Sequence, residues 1–422
     1  MEKLIIVLEK YLLPISEKIS SNKSLQAVSR GFLALLPVTI VGSIAYLIAN
    51  FPVQAYLDFV MSSGIQNYIM APYYITLGLM SVYTVFLVAY NHAQMDNIDP
   101  LSTGLIALLS FFIVTPFVQV GEGHAIITTY NFDWLGAKGL FVSLIVALFV
   151  AKFVAFIVKK DLVIKMPDGV PPYVTRSFAA LIPALSVATI VTVIAALFSL
   201  SSYGNVHELV FKFLQGPLLG LGSSFTAYLI ATVLIQLLWW FGIHGFNVVG
   251  SVMIPIWIGL DMQRMAELAA GQPVSTYMGM SFLTAVGQST LAILLTVYLF
   301  SKSSQLKNIS KIGMPAALFN IGEPMVFGLP TVLNPIMFIP TVILIPVVTN
   351  LFFYLGFTTG LIPALSGAQI PMQMPVVLYG IVQGNWMLAL WQLLAIPLAM
   401  VLIYPFVKLY DKQILRREEA EK

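Results

Sequence analysis

The chain has 422 residues, of which 59% are apolar and only 9% are charged, and its mean hydropathy is +0.92. An ordinary soluble domain is roughly 45–50% apolar and about 25% charged. The composition therefore excludes a cytosolic enzyme, a nucleic-acid binder and a disordered chain, and predicts a protein that lies in a lipid bilayer. Cysteine is absent, which excludes disulfides, cysteine-ligated zinc and a phosphocysteine on this chain.

Ten apolar stretches are candidate membrane-spanning helices. A span needs about 20 largely apolar residues, and nine stretches approach that length, whereas the tenth is short and contains Pro255. The ten stretches are 31–50, 72–91, 101–118, 139–158, 178–200, 219–241, 245–260, 278–300, 336–357 and 386–407. They predict an all-α integral membrane protein with about ten transmembrane helices.

The positive charges predict the orientation of these helices. No Lys or Arg occurs between residues 31 and 137, whereas basic residues cluster before residue 31, in 152–176, in 302–311 and in 408–417. Short basic loops stay on the cytoplasmic side. We therefore expect cytoplasmic N- and C-termini and cytoplasmic loops at 159–176 and 301–311. This requires an even number of crossings, which is why 245–260 is counted as one.

Polar segments divide the chain into five parts. Residues 1–30 predict an amphipathic cytoplasmic segment at the membrane surface, without a signal-peptide cleavage site. Residues 201–218 predict an amphipathic linker, whose His207 we expect to be structural or solvated. The linker separates a membrane domain at 31–200 from a second one at 219–407, and 408–422 is read as a cytoplasmic tail.

Two segments of the second membrane domain, 313–335 and 360–380, are apolar but rich in proline. Proline removes a helix hydrogen bond and kinks the chain. Irregular backbone at membrane depth is tolerated only where it is buried in protein or lines a wet cavity, and transporters build substrate sites from such segments. The alternative is a pair of proline-kinked helices with loops at the surface.

Glu323 is the strongest candidate for a functional side chain. It is the only acidic residue between Glu267 and Asp411, and its surroundings in the sequence are apolar. A carboxylate at the bilayer centre costs at least ~2.5–3.5 kcal/mol, so a fold keeps it only with a partner or a function. It is either an acceptor for sugar hydroxyl groups or a carboxylate at the N-terminus of a half-helix.

His244 is the second candidate, because it follows two tryptophans and lies between Gly242 and Gly245 in the sequence WWFGIHG. Aromatic faces with a few directing polar groups are typical of a small-molecule pocket. The alternative is a core histidine bonded to a carbonyl group, with Trp239 and Trp240 in an interfacial belt.

The segment NHAQMDNIDP carries His92, Asp96 and Asp99 between two predicted spans. The simplest interpretation is a solvated loop in which Asp99 and Pro100 start the next helix. The four histidines of the chain are scattered, so no metal site is predicted. No phosphate-binding GxxxxGK[ST] loop occurs, and no cofactor is expected.

Two segments carry a family resemblance. FGIHGFNVVG at 241–250 and FNIGEPMVFGLPTVLNP at 319–335 resemble the signature segments of the membrane-spanning IIC component of the sugar phosphotransferase system. The lactose, cellobiose and N,N'-diacetylchitobiose group is the most similar branch. Segments 99–116 and 135–150 support the match, which runs in order along nearly the whole chain.

The resemblance implies a homodimer of ten-helix subunits in a bacterial plasma membrane. The N-terminal half would form the dimer contact, and the C-terminal half would be a transport domain with re-entrant hairpins that moves as a rigid body, like an elevator. A β-linked disaccharide would be carried inward and phosphorylated on its 6-hydroxyl by a phosphocysteine on a separate IIB protein, with IIA upstream. The phosphoryl-carrying residues would lie on those partners, so it stays open whether this permease subunit counts as an enzyme.

The resemblance also implies the site residues. His244 and Glu323 correspond to the pair next to the 6-hydroxyl and are the predicted catalytic residues. The predicted substrate-binding residues are Asp99, Trp239, His244, Asn247, Glu323 and Met372. The sequence departs from the family pattern at Gly322, where many members have Asn, and at Met372, where many have a Trp that stacks on the sugar. Trp386 and Trp391 follow the second departure closely.

Two other functions stay open. One is a relative that binds or transports sugar without phosphorylation. The other is an ion-coupled secondary transporter, which would need titratable groups in the core beyond His244 and Glu323, and the sequence analysis finds none.

Overall fold

The computed structural model describes residues 14, 17–19, 21–51, 54–120, 127–167, 169–287, 289–329, 331–383 and 386–420. The contacts divide the chain into a first unit, residues 15–45 and 66–220, and a second unit, residues 1–14, 46–65 and 221–422. Most of the predicted N-terminal amphipathic segment lies outside the described residues. The first long helix begins at Lys23.

The described residues are mostly helical. From the N-terminus to residue 222, the elements are α1 (Lys23–Ala49), α2 (Gln54–Ser62), α3 (Gln66–Thr76), α4 (Met80–Met95), α5 (Pro100–Val114), β1 (Phe117–Val120), β2 (Ile127–Tyr130), α6 (Phe132–Leu135), α7 (Leu140–Lys159), α8 (Pro172–Ala179), α9 (Leu181–Ser199), α10 (Val206–Val210) and α11 (Gly216–Gly222). Short 3-10 helices occupy Leu77–Leu79 and Ala137–Gly139, and a π-helical turn, Phe211–Gln215, joins α10 to α11.

The remaining elements are α12 (Phe225–Trp240), α13 (Gly245–Ala269), α14 (Met280–Ala285), α15 (Ser289–Phe300), α16 (Ser304–Leu318), α17 (Glu323–Gly328), α18 (Pro335–Phe338), α19 (Ile345–Thr358), α20 (Val376–Val382) and α21 (Trp386–Ala420). A second π-helical stretch, Ile339–Leu344, joins α18 to α19. In the first unit α4 packs against α5 and α7. In the second unit α15 packs against α16 and α21, around a buried apolar core.

The helix lengths confirm a multi-pass membrane protein. Among the described residues, eight helical stretches are long and apolar enough to span a bilayer, namely 23–49, 66–95, 137–159, 172–199, 245–269, 280–300, 335–358 and 386–416. The pair Val206–Gly222 and Phe225–Trp240, bent by 74° at its break, would make a ninth. The sequence predicted about ten.

The predicted span at 101–118 is the clearest difference. Helix α5 has only 15 residues and ends at Val114, because Thr115 precedes Pro116 and the residue before a proline avoids the helical conformation. Thr115 is accordingly extended, with φ −77° and ψ 124°. The chain then enters β1, which pairs with β2 in an antiparallel hairpin that the sequence analysis did not anticipate.

Three other segments are longer than predicted. Helix α13 runs for 25 residues with Pro255 inside it, so the segment counted as a crossing at 245–260 is a candidate span, but its predicted end and its predicted break at Pro255 were wrong. Such prolines are tolerated where neighbouring groups satisfy the freed backbone. The predicted linker at 201–218 ends inside α11, which runs to Gly222. The predicted tail at 408–422 is described to residue 420, as part of α21.

His207 of the linker is fully buried rather than solvated. Its Nε2 lies 3.1 Å from the hydroxyl of Thr115, and its ring lies 5.1 Å from that of Trp134, centroid to centroid. An aromatic pocket of the first unit therefore holds this side chain.

Asp411 on α21 closes a loop of the second unit. Its carboxylate accepts hydrogen bonds from the backbone N–H of Lys302, at 3.0 and 2.9 Å, and from that of Ser303, at 2.8 Å. The side chain is buried. These bonds fix the turn between α15 and α16, since three acceptor contacts hold two successive peptide groups.

The proline-rich segments are irregular, as predicted. Residues 359–375 contain no helix or strand. Within 313–335 the chain leaves α16 at Leu318 and forms only the six-residue helix α17 before it reaches α18. Both irregular segments belong to the second unit.

Candidate functional site

A tight turn carries His244 between α12 and α13. Gly242 has φ +79°, a left-handed conformation that glycine adopts without steric cost. A Cβ atom at position 245 would lie 2.0 Å from the carbonyl oxygen of Ile235, so that position also requires glycine. The two glycines that flank His244 in the sequence are therefore explained by the geometry of the turn.

His244 caps the N-terminus of α13. Its Nδ1 accepts a hydrogen bond from the backbone N–H of Asn247 at 3.2 Å. Because Nδ1 is the acceptor, the neutral imidazole assigned from this bond carries its proton on Nε2. The ring of Trp239 lies 4.3 Å from the imidazole, centroid to centroid, with the planes inclined at 46°.

Glu323 faces the free nitrogen of this imidazole. Its Oε1 lies 3.7 Å from Nε2 of His244, and the two side chains are 48% and 39% exposed. Glu323 is the first residue of α17 and Pro324 is the second, so the carboxylate also lies at a helix N-terminus, where the helix dipole favours a negative charge. The structure thus brings the two predicted catalytic residues together at a surface that a ligand can reach.

Two hydrogen bonds join the segment after α17 to the end of α12. The backbone N–H of Leu333 donates to the carbonyl oxygen of Trp240 at 2.8 Å, and Nε1 of Trp240 donates to the carbonyl oxygen of Asn334 at 3.0 Å. Leu333 has φ +50°, which is uncommon for a residue with a bulky side chain. The surrounding bonds hold this conformation, and they help to keep Glu323 beside the His244 turn.

The other predicted substrate-binding residues differ in what they contribute. Asn247 is exposed, and its backbone orients His244. Met372 is half-buried in the irregular segment 359–375, and its carbonyl oxygen accepts a hydrogen bond from Nδ2 of Asn320 at 3.3 Å. Because Asn320 lies three residues before Glu323, this bond ties the Met372 segment to the Glu323 turn.

Asp99 belongs to the first unit. Its carboxylate accepts a hydrogen bond from the backbone N–H of Ser102 at 2.9 Å, and Pro100 follows it as the first residue of α5. It is therefore a helix cap, as the simplest interpretation of the sequence expected.

The tryptophans that follow Met372 are placed differently. Trp391 stacks on Phe352 at 4.6 Å and 17°, and its Nε1 donates to the carbonyl oxygen of the same residue at 3.1 Å. Its ring face is thus already occupied within the helix packing. Trp386 is 71% exposed.

The predicted solvated loop of the first unit is a compact ionic cluster. His92 is buried, and its Nδ1 lies 3.2 Å from the carboxylate of Asp96. Asp96 also lies 2.7 Å from Nζ of Lys23 and 3.5 Å from Nζ of Lys159. Burial raises the pKa of the Asp96 carboxyl, but the Lys23 hydrogen bond and the charges of Lys159 and Lys23 outweigh it, so this pKa lies below its ordinary value.

The second unit contains a buried ion pair that was not predicted from the sequence. Asp261 and Arg264 on α13 are in contact, and neither side chain is exposed. The guanidinium also donates to the hydroxyl of Ser281 at 2.5 Å. It donates as well to the carbonyl oxygens of Thr276 and Met278, at 3.2 Å in both cases. The expectation of no further titratable groups in the core was therefore wrong. Opposite charges three residues apart in an apolar helix were the available signal, and it was lost because 245–260 was read as too short.

Comparison with known proteins identifies the family. The model of the family described as Phosphotransferase system, EIIC matches residues 29–344. A PTS system oligo-beta-mannoside-specific EIIC component from Bacillus subtilis (strain 168) is 37% identical over 98% of this chain and 96% of its own length. A PTS system cellobiose-specific EIIC component from Geobacillus stearothermophilus is 34% identical over 100% of this chain and 97% of its own length.

A solved structure agrees with these relatives. It is the crystal structure of the transporter ChbC, the IIC component from the N,N'-diacetylchitobiose-specific phosphotransferase system. It superposes with a TM-score of 0.91 at 34% sequence identity and covers 98% of this chain and 99% of that chain. The resemblance read from the signature segments around His244 and Glu323 is thus confirmed, and the chain belongs to the EIIC family of phosphotransferase-system permeases.

Proposed function

We propose that this permease binds a β-linked disaccharide of the cellobiose, chitobiose, β-mannoside or lactose type. The names of the relatives support this substrate class, since they include oligo-beta-mannoside-, cellobiose- and lactose-specific components. The site is consistent with it, because an aromatic ring, an imidazole and a carboxylate suit a neutral ligand rich in hydroxyl groups.

The disaccharide is carried inward and then phosphorylated on its 6-hydroxyl by a phosphocysteine of a separate IIB protein. In that step the hydroxyl oxygen attacks phosphorus, the new O–P bond forms, the S–P bond breaks, and the IIB cysteine leaves as a thiolate. The proton of the hydroxyl must be taken up as the O–P bond forms. The 422 residues contain no cysteine, so the phosphocysteine lies outside this sequence.

The approach of His244 to Glu323 carries this proposal. Since Nδ1 of His244 is occupied by the Asn247 N–H, the neutral imidazole presents its N–H at Nε2, towards Glu323. An ionised carboxylate only accepts hydrogen bonds. Glu323 is therefore the group that takes the proton, and His244 donates from Nε2 to orient the carboxylate or the sugar oxygen. Trp239 packs beside them, and Asn247 and Met372 complete the proposed set of substrate-binding residues of the second unit.

We further propose inward transport by a rigid-body, elevator-like movement in a homodimer. The division of the chain into two compact units, 15–45 with 66–220 and 1–14 with 46–65 and 221–422, supports a moving part and a scaffold part. The basic loops support cytoplasmic termini in a bacterial plasma membrane. Phosphorylated IIB, charged by IIA, then meets the sugar on the cytoplasmic side.

Glu323→Gln tests the proposal, because it keeps the shape and removes the charge. With the purified protein and saturating phospho-IIB, we expect weaker equilibrium binding of the disaccharide. We also expect phosphotransfer that is slower by about 10²–10⁴-fold, the usual contribution of a positioned base. Glu208→Gln, at an exposed carboxylate of the first unit, is the matched control and should behave like the parent.

Three results separate this function from its alternatives. Parent-like binding and phosphotransfer in both Glu323→Gln and His244→Ala would make these residues structural. Tight sugar binding without transfer from any phospho-IIB would indicate a non-phosphorylating relative. Uptake that stops when the proton gradient collapses, yet continues without phosphoenolpyruvate, would indicate an ion-coupled transporter.

A further inference from the structure

A polar cavity lies within the second unit. It is a partly open pocket of about 80 Å³ between α12, the α14–α15 turn and α19. Its polar lining consists of Tyr228, Thr232, Gln236, Ser289, Thr349 and Asn350. No charged side chain contributes to the described lining, and the other described residues there are apolar or glycine.

Two polar groups of this cavity have no protein partner among the described residues. They are the hydroxyl of Tyr228 and Oδ1 of Asn350. Tyr228 is fully buried and Asn350 is 4% exposed. A buried polar group without a hydrogen bond costs roughly 1–3 kcal/mol, so a fold that keeps two of them in one cavity implies that water or a ligand supplies the missing partners.

The cavity shares a wall with the turn that carries Glu323. Gly287 lines the cavity, and a Cβ atom there would lie 2.3 Å from Nδ2 of Asn320. Ser289 also lines the cavity. The residue after it, Thr290, has its Oγ1 3.3 Å from where a Cβ atom at Gly322 would lie, and Gly322 directly precedes Glu323.

A second wall comes from α12, which carries Trp239 as its last residue but one. Gln236 lines the cavity and precedes Trp239 by three residues on α12. Residues three apart on a helix lie on the same face, so the cavity continues the surface on which Trp239 lies.

The chemistry of the lining selects the ligand. Without charges, the cavity does not compensate a bound ion, whereas hydroxyl and amide groups over an apolar floor suit a neutral ligand that carries hydroxyl groups. A cavity of about 150 Å³ holds one benzene ring, so 80 Å³ is too small for a disaccharide and suits one edge of a sugar ring.

We infer that this polar cavity is a subsite of the sugar site, and that it takes the hydroxyl-bearing edge of the ring that is not phosphorylated. The inference rests on the proposed function, in which the 6-hydroxyl of the other ring occupies the space beside His244 and Glu323. Asn320 packs against Gly287 on the cavity wall and lies three residues before Glu323, so the cavity and the Glu323 turn meet at this contact.

Tyr228→Phe is the cleanest test, because it removes a hydroxyl that has no protein partner and should leave folding intact. Binding of cellobiose, β-mannobiose, diacetylchitobiose, lactose and glucose is measured by calorimetry on the purified full chain. We expect Tyr228→Phe and Asn350→Leu each to weaken binding of the preferred disaccharide by about three- to tenfold, the effect of one net hydrogen bond. Glucose binding should be unchanged. Tyr298→Phe, at an exposed tyrosine of α15, is the control.

Phosphotransfer kinetics separate a binding role from a structural one. At saturating disaccharide both cavity variants should keep the parent kcat and show a raised KM, as expected when binding is lost equally in the ground state and in the transition state. Parent-like affinity and KM in both variants would overturn the inference, and so would an equal loss of glucose binding. If the parent itself binds none of the five sugars, the proposed function fails and the inference fails with it. Failure of the cavity variants alone leaves the proposed function intact.

Discussion

Asp261 and Arg264 form an ion pair one helical turn apart, and neither side chain is exposed to solvent. The carboxylate also accepts hydrogen bonds from the backbone N–H of Ser281 at 2.8 Å and from Nε2 of Gln369 at 3.0 Å. The pair therefore ties α13 to α14 and to the irregular segment that carries Met372. This buried charge network therefore holds the backbone of the segment that carries Met372, a proposed sugar-binding residue.

Removal of either partner should be strongly destabilising. We expect Asp261→Leu or Arg264→Met to lower the free energy of unfolding by ~3–5 kcal/mol, because each leaves a buried charge uncompensated. The double variant should lose less than the sum of the two. Thermal unfolding in detergent measures this, and Asp133→Ala, which breaks the exposed pair with Lys138, should change stability by under ~1 kcal/mol. Additive losses in the double variant would mean that the pair is not coupled.

His244 has two separable tasks. Asn in its place keeps a capping acceptor for the N–H of Asn247 but lacks a group at the position of Nε2. We expect His244→Asn to fold like the parent, whereas His244→Ala loses about 0.5–2 kcal/mol of stability with the cap. Both should lose phosphotransfer from purified phospho-IIB. Normal phosphotransfer by His244→Asn would show that Nε2 has no part in the reaction.

Met372→Trp should change sugar selectivity more than folding. The indole would supply the flat stacking face that many family members have at this position, worth ~0.5–1.5 kcal/mol, against an overpacking cost of ~1–3 kcal/mol if the site is closed. Binding constants for a panel of disaccharides test this, with thermal unfolding as the control for overpacking. Unaltered binding of every sugar by a folded variant would place Met372 away from the ligand.

Asp96 should make the first unit less stable in acid. Its pKa is lower in the folded state than the value of about 3.9 for an unfolded chain. The stability it contributes is therefore fully present above that value and is lost as the pH falls through the folded pKa. We expect the difference in melting temperature between the parent and Asp96→Asn to shrink from pH 6 to pH 3. Because Lys23 and Lys159 are about half exposed, high salt should reduce the difference as well. A difference that stays constant over this range would contradict the prediction.

The predicted orientation can be tested with single cysteines, since the chain has none of its own. Leu162 is exposed, whereas Leu306 is buried, so Lys307 is the better position in the second basic loop. Cysteines at 162 and 307 should react with a membrane-impermeant maleimide only after the cells are opened. Labelling of either one from outside intact cells would reverse the topology.

Much of the local structure could be predicted because its signals are local. Low charge and long apolar runs indicated the membrane, prolines indicated the irregular segments, and the glycines around His244 indicated a tight turn. The end of α5 was missed, because the predicted span ran to residue 118, although Thr115 before Pro116 was an available local signal. The proximity of His244 and Glu323 had no local signal, and it was expected only because the two segments resemble a known family.

The rest depends on contacts that join distant parts of the chain. Asn320 and Met372 are 52 residues apart in sequence, and no pattern in either segment predicts that the two are in contact. The polar cavity beside them has no signature of its own, because Tyr228 and Asn350 are ordinary helix residues until packing leaves their polar atoms without partners. The burial of Asp261 was likewise not predicted, because Asp261 lies just beyond the predicted end of the span at residue 260, whereas α13 continues to Ala269.

The bonds that Asp411 accepts from the loop at 302–303 also bear on how the second unit is assembled during synthesis. The carboxylate lies 109 residues after Lys302. The backbone N–H groups of Lys302 and Ser303 are therefore synthesised long before Asp411. Until the last helix is in place, water or lipid headgroups must accept their hydrogen bonds. The hairpin of α15 and α16 is thus secured late, so this half of the permease matures only after its final helix has inserted.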